Sequence, residues 1–105
     1  MISRNKESAC NVYKLTEIAV EDFAGIYDYT LQKFGEQQAD HYTDELEAFF
    51  LLLADMPEMG RDYPAVPEIM RIDFQRHSIF YCIRASDILI IRILHQQMNH
   101  LRHFK

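Results

Sequence analysis

The sequence predicts an α+β fold: one small domain in which a helical hairpin packs on one face of a mostly antiparallel sheet. Three observations predict it. Two long stretches of helical apolar periodicity follow each other almost without a break, a proline-rich segment ends them, and three short apolar runs at hairpin spacing come next. At 105 residues, 49% apolar and 26% charged, the chain suits a single core, since two domains would each be too small to bury enough surface.

Residues 1–11, MISRNKESACN, are polar and patternless and read as a flexible leader, which leaves 12–105 as the domain. VYKL (12–15) is a short β pattern, and Thr16 is placed to cap the helix that follows. In that helix Ala19, Phe23, Ile26, Tyr27, Thr30 and Phe34 share one face, with Glu17, Glu21 and Asp22 near the positive end of its dipole. Gly35 stands where a left-handed residue would stop the helix. A second helix starts at once, with Ala39, Tyr42, Leu46, Phe49, Phe50 and Leu53 as its apolar face, so the two form a hairpin. Pro57 closes the helical region and PEMGRDYPAVP (57–67) reads as a connecting loop.

Three strands are expected after the loop: IMRIDF (69–74), HSIFYCI (77–83) and ILIIRILH (88–95), giving the order β-α-α-β-β-β. In the last of them, simple alternation puts Leu89, Ile91, Ile93 and His95 on one side and Ile88, Ile90, Arg92 and Leu94 on the other. Both sides are mostly apolar, which makes the strand central. Arg71 and Arg92 are both expected on the sheet face that the helices leave uncovered.

Composition excludes several function classes. No apolar run approaches the ~20 residues of a membrane-spanning helix, and the N-terminus has no apolar signal region, so a cytoplasmic protein with no membrane role is expected. Cys10 and Cys82 lack metal or redox spacing and read as reduced thiols, Cys82 as a small core residue. A net charge of −5 argues against a surface built mainly for nucleic acid. The positive charge is nonetheless concentrated: residues 57–105 hold six of the seven arginines of the chain.

His95, His100 and His103 invite a metal site, but their spacing matches no ligand set and no carboxylate stands close in sequence, so no metal is expected. Nor is there a nucleophile elbow, a P-loop or a dinucleotide fingerprint, and no cofactor is expected. What remains is the arginine-rich second half. Arg71, Arg76, Arg84, Arg92 and His95 suit phosphate, an acidic protein partner or internal ion pairs alike.

The stretches YKLTEIAVEDFAGIYDYTLQKFGEQQADHY, FFLLLADMPEMGR, MRIDF, HSIFY and IIRILHQQMN, within residues 13–99, resemble the ParE toxins of the RelE/ParE type II toxin–antitoxin superfamily. A-x-x-D-F-x-x-I-x-x-Y, P-x-x-G-R and R-I-L-H-x-x-M in that order carry the resemblance. It implies a toxin that binds and inhibits DNA gyrase, so blocking replication, and that a ParD-like antitoxin silences. Relatives similar to RelE instead cut messenger RNA on the ribosome, with basic residues and a general base on the sheet. A third possibility is a fold that has lost toxicity and only binds its antitoxin.

Residues tilt this choice towards gyrase. Nucleases similar to RelE often place a catalytic tyrosine before a His-Gln pair, whereas here Leu94 precedes His95 and Gln96. Asp73 beside Arg71 would also oppose phosphate. No catalytic residue is therefore expected. Arg71, Arg92, His95, Met98 and Asn99 are the expected residues at or beneath the target-contact surface, with Arg92 alternatively paired to a carboxylate such as Asp73. At Asn99 these toxins often have aspartate.

Overall fold

The computed structural model describes residues 12–96. Strand β1 (Tyr13–Leu15) leads into helices α1 (Glu17–Phe34) and α2 (Glu36–Asp55). A 3-10 turn (Pro57–Met59) and strands β2 (Arg61–Asp62), β3 (Met70–Phe74), β4 (His77–Ile83) and β5 (Ile88–His95) follow. The expected order is present, with one addition: the loop after Pro57 contributes the 3-10 turn and the two-residue β2. The sheet order is β1-β5-β4-β3-β2, antiparallel except where β1 runs parallel to β5. Strand β5 is thus internal, as its two apolar sides require.

Local chemistry sets the helix ends. The Thr16 hydroxyl accepts from the Ala19 N–H at 3.0 Å and donates to the Ile91 carbonyl at 2.9 Å, so one side chain caps α1 and ties it to β5. Gly35 is the whole link between the helices. Its φ of 93° is positive as expected, but its ψ of 172° places it outside the left-handed helical region, in a conformation open essentially to glycine alone. Its N–H closes α1 on Leu31 while its carbonyl accepts the Ala39 N–H that starts α2.

The core lies between the hairpin and one sheet face. Ala19, Ile26, Tyr42, Leu46, Phe50 and Leu53 meet Ile79, Tyr81, Ile88, Ile90 and Ile93 there. Tyr13 and Phe23 close on the ring of Phe50, and Phe74 closes on Tyr42 and Phe49. The predicted helix faces are correct except at Phe34, which is 58% exposed at the end of α1.

Strand β5 departs from simple alternation. Phe80 pairs with Arg92 and Tyr81 with Ile90, so Ile91 has no partner and forms a bulge. The extra residue reverses the parity of the strand. Ile88 and Ile90 face the helices on one side of the bulge, and Ile93 and His95 face them on the other. Arg92 and Leu94 are turned to the outer face, separated from the isoleucines with which alternation grouped them. Cys82, opposite Leu89, also lies on the outer face and is only half-buried, so it is not the core residue that its strand pattern suggested.

Candidate functional site

Register places one row of side chains across four strands of the outer face: Arg61 of β2, Arg71 of β3, Phe80 of β4 and Arg92 of β5. The next row holds Asp73, Ser78 and Leu94. The Arg71 guanidinium stands 5.8 Å from the centre of the Phe80 ring, which Tyr63 meets edge-on at 5.1 Å. Arg71 and Arg92 therefore do share the face that the helices leave open.

Both are engaged by carboxylates. Arg71 Nε donates to Asp73 at 3.0 Å, the Ser78 hydroxyl donates to the same carboxylate at 2.8 Å, and Arg61 reaches it at 3.9 Å. Burial pushes the Asp73 carboxyl up, but the bonds from Ser78 and Arg71 outweigh it and hold the group below its ordinary value. Arg92 pairs with Asp22 of α1 rather than with Asp73, through two bonds of 2.9 Å, and Asp22 also accepts the Ile93 N–H at 2.9 Å. Strand β1 covers only Ile88 to Ile90, so the edge of β5 beyond it needs another partner. Thr16 and Asp22 supply one. Asp22 thus acts as a ligand of the last strand, beyond the first turn where a dipole reading would have placed its value.

His95 is on the other face. It pairs across the sheet with His77, and the two rings meet edge-on at 5.5 Å, under Tyr42 of α2. Burial, with His95 and Arg76 nearby, lowers the His77 pKa to about 4. The ring is neutral at pH 7, and its Nδ1 shares a hydrogen bond of 2.7 Å with the Tyr42 hydroxyl. A groove of about 970 Å³ opens here, lined by Ile26, Tyr29, Phe34, Tyr42, Arg76, His77 and His95, with Glu21 and Asp22 also on its wall. A nuclease needs its base and its arginines to converge on one phosphate. The sheet separates His95 from Arg71, whereas Arg76 lines the same groove as His95 and the Arg92 guanidinium reaches Asp22 on its wall.

Of the other arginines, Arg84 is tied to Asp87 in the β4–β5 turn by bonds of 2.7 and 2.8 Å, and Arg76 lies exposed in the β3–β4 turn. Met98, Asn99, His100 and His103 lie outside the described residues. Among the described residues no three His, Cys, Asp or Glu side chains group as metal ligands, and no helix is long and apolar enough to cross a membrane.

Sequence reasoning missed Asp22, Arg61, Tyr42, His77 and Tyr81. Two of them carried a signal, since Asp22 and Arg61 sit inside the A-x-x-D-F and P-x-x-G-R motifs. The others are ordinary strand and helix aromatics whose polar ends acquire partners only on folding.

Residues 13–100 match the family model described as ParE toxin of type II toxin–antitoxin system, parDE. The chain is similar to Toxin ParE1 of Caulobacter vibrioides, with 34% identity over 87% of this chain and 95% of that protein. It is 28% identical to Toxin ParE1 of Mycobacterium tuberculosis over 83% of this chain and 91% of that one. Among solved structures, a chain from the chromosomal ParDE TA system from P. aeruginosa superposes with a TM-score of 0.72 at 22% identity, covering 84% of this chain and 98% of that one. This last likeness bears on the fold, which is of the RelE/ParE type.

Proposed function

Since this chain belongs to the ParE toxins of type II toxin–antitoxin systems, we propose that it acts in the cytoplasm by binding DNA gyrase and blocking replication until a ParD-like antitoxin silences it. The observation that carries this reading is the match to a named toxin along nearly the full length of both proteins. Inhibition works through protein–protein contact, and the toxin has no catalytic residue of its own. Support comes from the register, which sets His95 on the helix side of the sheet and Arg61 and Arg71 on the other.

In this reading Arg71 belongs to the surface that meets gyrase, and Arg92 supports it through Asp22. Met98 and Asn99 are proposed to contribute to the same target contact. His95 serves the groove beside α1, where apolar Ile26, Tyr29 and Phe34 suit the side chains of an antitoxin segment that orders as it binds. An antitoxin partner also fits the ParDE pairing of the P. aeruginosa neighbour.

A supercoiling assay with purified protein and gyrase tests the proposal. Lost supercoiling or accumulated cleavage complexes is expected, relieved by a cognate ParD-like antitoxin. Cleavage of messenger RNA only when ribosomes are present would replace the gyrase reading with a nuclease one.

A further inference from the structure

The short segment Pro57–Arg61 is clamped to the sheet by a core residue. Tyr81 is fully buried, yet its hydroxyl donates to the Pro57 carbonyl at 2.6 Å and accepts from the Gly60 N–H at 3.2 Å. A Cβ at Gly60 would overlap that hydroxyl and lie 2.9 Å from the Arg71 carbonyl oxygen, so only glycine lets the loop come this close. A phenylalanine would fill the core equally well. The hydroxyl's contribution is to fix the loop, and with it the residue that follows.

That residue is Arg61, which the clamp brings into register with Arg71 at the end of the outer row. The arginines of this row are not equivalent. The Arg92 and Arg71 side chains are 16% and 23% exposed and are held by close carboxylates, whereas the Arg61 side chain is 68% exposed. Its one ion pair among the described residues is the 3.9 Å approach to Asp73, a carboxylate already occupied by Arg71 and Ser78. Arg61 is therefore a positioned guanidinium with most of its donor capacity directed to solvent.

We propose that Arg61, presented by the Tyr81-clamped loop, is a contact residue through which the toxin engages an acidic side chain of its protein target. This rests on the reading above, in which the toxin works by protein contact. Charge selects a protein carboxylate over nucleic acid. Asp73 approaches Arg61 in space and Glu58 lies in the same clamped segment, so a run of phosphates would meet carboxylates beside the guanidinium. A single carboxylate can use the guanidinium fork alone, in the two-bond geometry that arginine favours.

The test uses the full chain and its Arg61→Lys, Arg61→Ala and Arg61→Glu variants. Growth arrest on induction, inhibition of gyrase supercoiling, capture by the cognate antitoxin and thermal unfolding are measured for each. Arg61→Ala is expected to lower potency about tenfold, with Arg61→Glu weaker still and Arg61→Lys between wild type and alanine. Unfolding temperature and antitoxin capture are expected to stay unchanged. Added salt should weaken the wild type more steeply than Arg61→Ala, because only the wild type makes the charged contact. Full potency in the alanine and glutamate variants would overturn the proposal, as would a loss that tracks reduced stability or antitoxin capture. Arg61-dependent cleavage of ribosome-bound messenger would overturn the choice of a protein carboxylate. Growth arrest without any effect on gyrase would refute the gyrase reading alone, and potency in growth arrest would then decide the role of Arg61. A wild type that arrests nothing would refute both.

Discussion

The carboxylate of Asp22 accepts three hydrogen bonds from the last strand, two from the Arg92 guanidinium and one from the Ile93 N–H. Both side chains are mostly buried, so removing either leaves the other charge short of water and of a counter-ion. Asp22→Ala is expected to cost about 3 kcal/mol and Arg92→Ala about 2–3 kcal/mol, read from urea unfolding. The aspartate variant should be worse, since it also strands the Ile93 N–H; losses under about 1 kcal/mol for both would mark the pair as a surface one. His77 makes stability depend on pH. Burial and the neighbouring His95 and Arg76 lower its pKa from 6.5 to about 4. Between those values the unfolded chain binds more protons than the folded one, so this contribution is complete above about pH 6.5 and declines as the pH falls towards 4. Such a shift corresponds to about 3 kcal/mol, which partial solvation of the ring reduces to about 1–2 kcal/mol. Unfolding temperatures measured from pH 7 to 4.5 should show the decline, and His77→Gln should flatten it. A wild-type curve that does not fall in this window would contradict the buried neutral ring. Neither pairing could be read from the chain, because Asp22 and Arg92 lie 70 residues apart and Tyr42 and His77 lie 35 apart.

Elements were the most legible level. The periodicity of α1 and α2, the Thr16 cap and the stop at Gly35 are local properties, and each appears in the fold where its residues place it. Gly35 isolates one of these effects. A Cβ there would meet nothing within 4 Å, so Gly35→Ala adds no clash and its cost is purely that of the backbone conformation. The variant is expected to lose about 1–3 kcal/mol of stability by urea unfolding. A neutral substitution would mean that the hairpin can close with ordinary backbone angles. Strand β2 was not legible. Two residues carry no periodicity, and Arg61 and Asp62 become a strand because Tyr81 holds the loop beside β3.

For the whole molecule, the sheet divides two surfaces: an arginine row on its outer face, and a groove with paired histidines on the helix side. Order along the chain is anchored early, where the Ile88 N–H donates to the Val12 carbonyl at 3.1 Å, and we propose that residues 1–11 lie outside the toxin domain. A chain shortened to start at Val12 is therefore expected to unfold at the same temperature as the full one, by calorimetry. A drop of several degrees would give those residues a structural role. The sequence by itself determined the fold class, the order of the main elements and the family motifs, because periodicity, caps and turn residues act over a few neighbours. Tertiary structure alone decided which strands adjoin, where β5 bulges, and so which faces carry Arg71, Arg92 and His95. Strand pairing joins distant segments, and a single unpaired residue at Ile91 is enough to reverse the side on which every later residue of that strand projects.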